Sequence, residues 1–153
     1  MRTLLSRAVG GPDTLELAEL PDPVAGPGQV VVAVAACAIN YPDVLIIEDR
    51  YQFKPPRPFA PGGEIAGTVE AVGEGVAEWS VGDRVMAVIG HGGLAEKVAV
   101  DAARLFRLPA GRDFAEGAAL LLTYATTIHA LLDRGRLAAG QSLLVLGAAG
   151  GVG

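Results

Sequence analysis

The sequence predicts a mainly β fold: a small irregular barrel, then helices, then one more strand that runs into a glycine loop. Three observations predict it. Apolar segments of strand length recur between glycine and proline turns up to about Pro109. An Ala- and Leu-rich stretch with helix-capping residues begins at Asp113. Apolar Ser142–Leu146 leads into Gly147-Ala148-Ala149-Gly150-Gly151-Val152-Gly153, the order in which a buried parallel strand opens a phosphate-binding turn. The 153 residues divide accordingly into 1–112, 113–140 and 141–153.

Each element follows from local pattern. Thr14–Leu20 alternates apolar and polar residues, as a strand with one wet face does, and Pro21-Asp22-Pro23 ends it because proline cannot donate to a ladder. Val30–Ile39 is an uninterrupted apolar run with β-branched residues at its start, which fits a strand buried on both faces. Ile65–Val72 and Asp83–Ile89 are further strands, separated by turns at Gly73-Glu74-Gly75 and Ser80-Val81-Gly82-Asp83. Leu94–Val100 resumes a strand after Gly90-His91-Gly92-Gly93. Asp113 and Glu116 have the spacing of a capping box, which predicts a helix over Phe114–Leu122. A second helix is expected over Thr123–Arg134, with Gly135 as its left-handed C-terminal cap. Ser142–Leu146 reads as an apolar strand. Such a strand with no sheet to join would lie exposed, so residues 141–153 are read as the start of a domain whose remainder lies beyond Gly153.

Composition narrows the function classes. The chain is 51% hydrophobic and 19% charged, which excludes general disorder. Its 12 basic and 17 acidic residues leave a net charge of −5, against a dedicated nucleic-acid binder. The apolar run Val30–Ile39 is about half the ~20 residues a bilayer helix needs. The N-terminus has no secretory pattern, and the lone Cys37 cannot form an internal disulfide. A soluble, cytoplasmic protein with no membrane partner is expected.

Three segments could carry chemistry. The glycine loop could bring amide N–H groups against a pyrophosphate, although Gly147-x-x-Gly150-x-x-Gly153 departs from G-x-G-x-x-G. Asn40-Tyr41-Pro42-Asp43 follows the buried strand. Asn40 can donate and accept toward a carboxamide or substrate oxygen, while the same residues are also turn formers. Glu64 heads an apolar strand after Pro61-Gly62-Gly63 and could be an acid, an anchor behind another site residue or a surface charge, of which composition favours the surface charge. His129 is read as a structural helix residue, His91 as solvated and Cys37 as a small hydrophobe. One Cys and two widely spaced His make no zinc-ligand pattern, and no G-x-S-x-G elbow is present.

Taken in order, the buried strand, Asn40-Tyr41-Pro42-Asp43, Pro61-Gly62-Gly63-Glu64-Ile65-Ala66-Gly67, Val81-Gly82-Asp83-Arg84-Val85 and Ala148-Ala149-Gly150-Gly151-Val152-Gly153 resemble the zinc-independent quinone oxidoreductase branch of the medium-chain dehydrogenase/reductase superfamily. The resemblance implies a GroES-like barrel followed by the first strand of a truncated Rossmann domain. It implies NADPH as cofactor and hydride transfer to a quinone or an α,β-unsaturated carbonyl. Enoyl-thioester or alkene reduction, and a free-standing GroES-like binding module without catalysis, are the alternatives. Zinc-dependent relatives have cysteine where Asn40 stands and histidine at the position of Gly63, so no metal is implied. Carried over residue by residue, Asn40, Asp43 and Tyr51 would be catalytic. Asn40, Thr126, Gly150, Gly151, Val152 and Gly153 would bind the cofactor. Leu45 stands where some relatives carry a second tyrosine. A small-molecule substrate and a homodimer formed through the dinucleotide-binding domain complete the expectation.

Overall fold

The computed structural model describes residues 1–153. Seven strands and three helices carry the fold: β1 (Arg2–Ser6), β2 (Leu15–Glu19), β3 (Gln29–Ala38), α1 (Tyr41–Ile47), β4 (Glu64–Val72), β5 (Arg84–Val88), β6 (Lys97–Asp101), β7 (Leu105–Arg107), α2 (Phe114–Ala118) and α3 (Leu121–Ile128). The last continues as a π-helical turn, His129–Arg134. Five strands make one antiparallel sheet in the order β6-β3-β4-β5-β7, and β1 pairs β2 in a separate ribbon. Isolated bridges from Thr3 to Ala95 and from Ser6 to Phe59 fasten the ribbon to the rest.

β3 is the central strand, and its register against β4 slips between Val31 and Val32 and again between Val34 and Ala36. Such irregularities bend a sheet and let it curl around a core. Gly67 lies opposite Val34, and a Cβ there would collide with the Ala33 carbonyl oxygen, so only glycine permits this approach of the two backbones. Inside the curve Val30, Val32, Ile65, Val69, Val85 and Val100 pack together with Trp79, whose indole N–H donates to the Ala102 carbonyl at 3.1 Å. A second cluster seats Ala118 of α2 against Ala66, Met86 and Leu108.

The predicted strands form, with differences. Of the run Val30–Ile39, Val30, Val31 and Val32 are buried, but Ala35 and Ile39 are exposed, because the far end of β3 projects past its neighbour β6. The strand expected over Leu94–Val100 narrows to β6, although Ala95 bridges to Thr3. β1 and β7 lack a clear period and arise from pairing with β2 and β5. Asn40-Tyr41-Pro42-Asp43 opens a helix rather than a simple turn.

The C-terminal part departs further. The capping box at Asp113 forms as expected, with the Glu116 amide donating to Asp113 at 2.7 Å, but α2 ends at Ala118 and α3 begins at Leu121. Gly135 is not a left-handed cap: its φ is −77°, and Arg136 takes the positive φ instead. What Gly135 supplies is room, since a Cβ would lie 2.9 Å from the Ala130 carbonyl oxygen, to which its own N–H donates across the widened turn. Ser142–Leu146 forms no strand and is exposed throughout. A strand exists only by pairing, and these residues make no backbone hydrogen bond to another segment. No helix is long and apolar enough to cross a membrane.

Candidate active site

Two loops and two helix starts meet at the far end of β3. α1 begins with Asn40 in extended conformation, and its proline sits in the first turn, where a missing N–H leaves no hydrogen bond broken. Asp43, 6% exposed, faces two ways. Its Oδ2 accepts the Asn40 backbone N–H at 2.8 Å, and its Oδ1 accepts the Gly62 N–H at 3.1 Å. One carboxylate therefore closes the helix start and ties it to the loop before β4, and its charge suits the first turn of a helix. The Asn40 side chain faces the Asp43 N–H as in a capping box, but that N–H donates to the Asn40 backbone carbonyl at 3.0 Å. The side-chain amide reaches toward β4, where its Nδ2 donates to Glu64 Oε2 at 3.0 Å.

Glu64 overturns its reading as a surface charge: it is fully buried. Its second oxygen, Oε1, accepts the Leu122 backbone N–H at 2.8 Å. α3 has Leu120 at its N-cap, which offers no side-chain acceptor, so Glu64 satisfies one of its otherwise unpaired first-turn amides. The sequence hid this because the partners of Glu64 lie 24 and 58 positions away. The one available signal was a single carboxylate at the head of a strand, directly after two glycines.

Asn40, Asp43, Tyr51, Phe53, Gly63 and Leu122 line a cleft of about 180 Å³. Tyr51 also packs on the cluster of Ile46, Ile47 and Phe59. Arg57 organises the loop that carries Tyr51. Its guanidinium donates to the Ile47 carbonyl and to Asp49 Oδ1, each at 2.8 Å, so a cation sits at the C-terminal end of α1. The hydrogen bond from Arg57 holds the Asp49 carboxyl below the usual carboxylate range.

His91 is not simply solvated. Its ring stacks on Phe53 with centroids 5.9 Å apart and meets the edge of Phe59 at 5.8 Å, and burial lowers its pKa. Cys37 packs against the main core as a small hydrophobe. Burial, reinforced by the charges of Asp43 and Glu64, pushes its thiol up to about 12, so it supplies no thiolate nucleophile.

Of the residues singled out in the sequence, Asn40, Asp43 and Tyr51 come together at the cleft with Glu64 behind Asn40, and Thr126, His129 and the glycine segment lie apart. Thr126 is exposed and does not line the cleft. It stands one turn beyond Leu122 on the same side of α3. Gly150, Gly151, Val152 and Gly153 turn back against the outside of α3, where the Thr127 hydroxyl donates to the Val152 carbonyl at 3.2 Å. The Gly150 N–H is engaged by the Gly147 carbonyl at 2.9 Å. His129 pairs with Asp133 at 2.9 Å on the exposed side of the π-helical turn.

Residues 26–110, which hold the curled sheet and this cleft, match the alcohol dehydrogenase GroES-like domain. The chain belongs to that family. Relatives place this GroES-like domain in the quinone oxidoreductase branch of the medium-chain dehydrogenase/reductase superfamily. It is 44% identical to the synaptic vesicle membrane protein VAT-1 homolog of Rattus norvegicus, over all of this chain and 38% of the relative. It is 39% identical to a quinone oxidoreductase of Lama guanicoe, over all of this chain and 47% of the relative. The quinone oxidoreductase of Thermus thermophilus, solved also in complex with NADPH, superposes with a TM-score of 0.86 at 36% identity, over 99% of this chain and 47% of that one. The chain thus spans less than half the length of these relatives.

The GroES-like cleft suits the nicotinamide end of a dinucleotide. Gly63 and Gly90 leave part of its wall without side chains, and Asn40 stands on the rim with a carboxamide that can pair with another.

Proposed function

We propose that this chain is the catalytic-domain portion of a zinc-independent, NADPH-dependent oxidoreductase that reduces a quinone or an α,β-unsaturated carbonyl. The observation that carries the reading is the cleft in which Asn40, Asp43 and Tyr51 converge beside two glycines. Similarity to quinone oxidoreductases, one solved with NADPH, supports it. So do Asn40 and Gly63, at the positions where the resemblance puts the cysteine and histidine of zinc-dependent relatives.

NADPH, when bound, supplies the hydride, and the acceptor gains it together with one proton. The protein's own part is placement. Asn40 pairs with the nicotinamide carboxamide, and Asp43 keeps the Asn40 backbone in place. Phe53 and Leu122 exclude water, and Tyr51 or a water molecule delivers the proton. Positioning of this kind accounts for on the order of several kcal/mol of barrier reduction. Thr126 and the Gly150–Gly153 segment would contact the carboxamide and the pyrophosphate once a dinucleotide-binding domain orders them. A cytoplasmic location and a dimer through that domain belong to the same proposal.

The test is quinone-dependent NADPH oxidation by the whole protein, compared with Asn40→Ala. Wild-type turnover, with loss in the variant, supports the reading; no turnover with any quinone or enone removes it and favours a binding module. The 153 residues alone should be inactive and show no saturable NADPH binding in a micromolar fluorescence titration, because the glycine segment has no helix behind it to orient its amides.

A further inference from the structure

We infer that Glu64 is a positioning residue that fixes the polarity of Asn40, so that the cleft presents a carbonyl oxygen and takes up a hydrogen-bond donor, the N–H of a primary carboxamide. This rests on the proposal that Asn40 faces the cofactor. Glu64 is fully buried, and each of its oxygens meets an N–H: the Asn40 side chain at 3.0 Å and the Leu122 backbone at 2.8 Å. Both Glu64 oxygens act as acceptors in this geometry. The Asn40 amide must therefore turn its NH2 toward Glu64, whichever way its oxygen and nitrogen are assigned. Its Oδ1 faces the Asp43 N–H as in a capping box, but that N–H is already bonded to the Asn40 backbone carbonyl at 3.0 Å, so Oδ1 keeps accepting capacity beside the cleft that Asn40 lines.

The Leu122 N–H belongs to the first turn of α3, where Leu120 provides no cap and the amide needs an acceptor from outside the helix. Glu64 thereby links three elements: β4, which carries it, the start of α1 and the start of α3. Asn40 and the helix leading to Thr126 are held in one relation by a single side chain.

Glu64→Gln tests this at constant shape. Glutamine can accept through one atom only. If it accepts from Leu122, its NH2 faces Asn40, and the Asn40 amide must flip and offer NH2 to the cleft. In the whole protein, Glu64→Gln should lower kcat tenfold or more while the KM for the quinone stays within about twofold. In an Asn40→Ala background the same change should have no further kinetic effect. Equal losses added in both backgrounds, or an unchanged kcat in Glu64→Gln, overturn the positioning role. A neutral Asn40→Ala instead overturns the placement of Asn40 itself, so the two ideas fail separately.

A second measurement needs no variant to fold. In the 15N-labelled chain, the Asn40 side-chain amide should show one proton shifted downfield and slowed in exchange with water. Two fast-exchanging, equivalent-looking protons would overturn the inference.

Discussion

Residues 2–122 and residues 123–153 contain similar apolar side chains and treat them differently. In the barrel, Val30 and Val32 are completely buried between paired strands. In the second region no residue is buried, and Leu144 and Leu146 are 82% and 86% exposed. The contrast teaches that apolar composition creates a demand for burial but not the means. Val30–Val32 have β4 on one side and β6 on the other, whereas Ser142–Leu146 make no backbone hydrogen bond to another segment. Between the two regions stands Glu64, whose bond to Leu122 anchors α3 to the barrel.

The largest effect that would sharpen this comparison is Ile65→Ala. Ile65 is 1% exposed in the main cluster, and its truncation should cost about 2–5 kcal/mol in a denaturant titration. A cost below about 1 kcal/mol would mean that the barrel is not the stabilising unit.

Next come the two polar residues of α1. Asp43→Ala leaves two N–H groups without their acceptor, and a loss of about 2–3 kcal/mol is expected with only a modest change in kcat/KM. Asn40→Ala should weigh the other way: in the whole protein, a kcat/KM lower by about tenfold, or ~1.4 kcal/mol, with a smaller loss of stability than Asp43→Ala, about 1 kcal/mol, from the one bond taken from Glu64. Measuring both quantities on both variants separates site from scaffold, and a reversed ranking would make Asn40 a structural residue.

A smaller effect concerns pH. Burial lowers the His91 pKa, so the folded chain binds fewer protons there than the unfolded chain does. Stability from this residue is complete above its unfolded pKa of about 6.5 and is lost as pH falls through the lower folded value. His91→Phe, which keeps the aromatic packing, should flatten the fall of Tm below about pH 6.5; identical Tm profiles would contradict this. The smallest effect, measured on the 153-residue chain, should be Leu144→Ala, within about 0.5 kcal/mol, because there is no packing to lose. A large destabilisation there would break the comparison.

Much of the barrel was legible because its signals are local. β2, β3, β4 and β5 show as alternating or continuous apolar runs bounded by glycine and proline, and the Asp113–Glu116 cap shows in its spacing. β1 and β7 were not legible, since neither has a period of its own and both owe their conformation to a partner strand. In the site, Asn40, Asp43 and Tyr51 could be named from their motif and the resemblance it carries, but α1 was hidden behind residues that serve turns and helix starts equally. His91 was misread because a glycine turn usually faces water, whereas this one lays its imidazole on Phe53.

The sequence by itself determined that β2, β3, β4 and β5 are strands, that a helical stretch follows Asp113, and that Asn40 stands just past the end of the long apolar strand. Those properties depend on residue type and spacing within about ten positions. Only the tertiary structure decided that Glu64 is buried, that its two oxygens join Asn40 to Leu122, and that Ser142–Leu146 remains unpaired. Burial, hydrogen-bond partnership and strand formation at those residues depend on what the chain brings alongside from tens of positions away, and a side chain's own chemistry does not specify its neighbour.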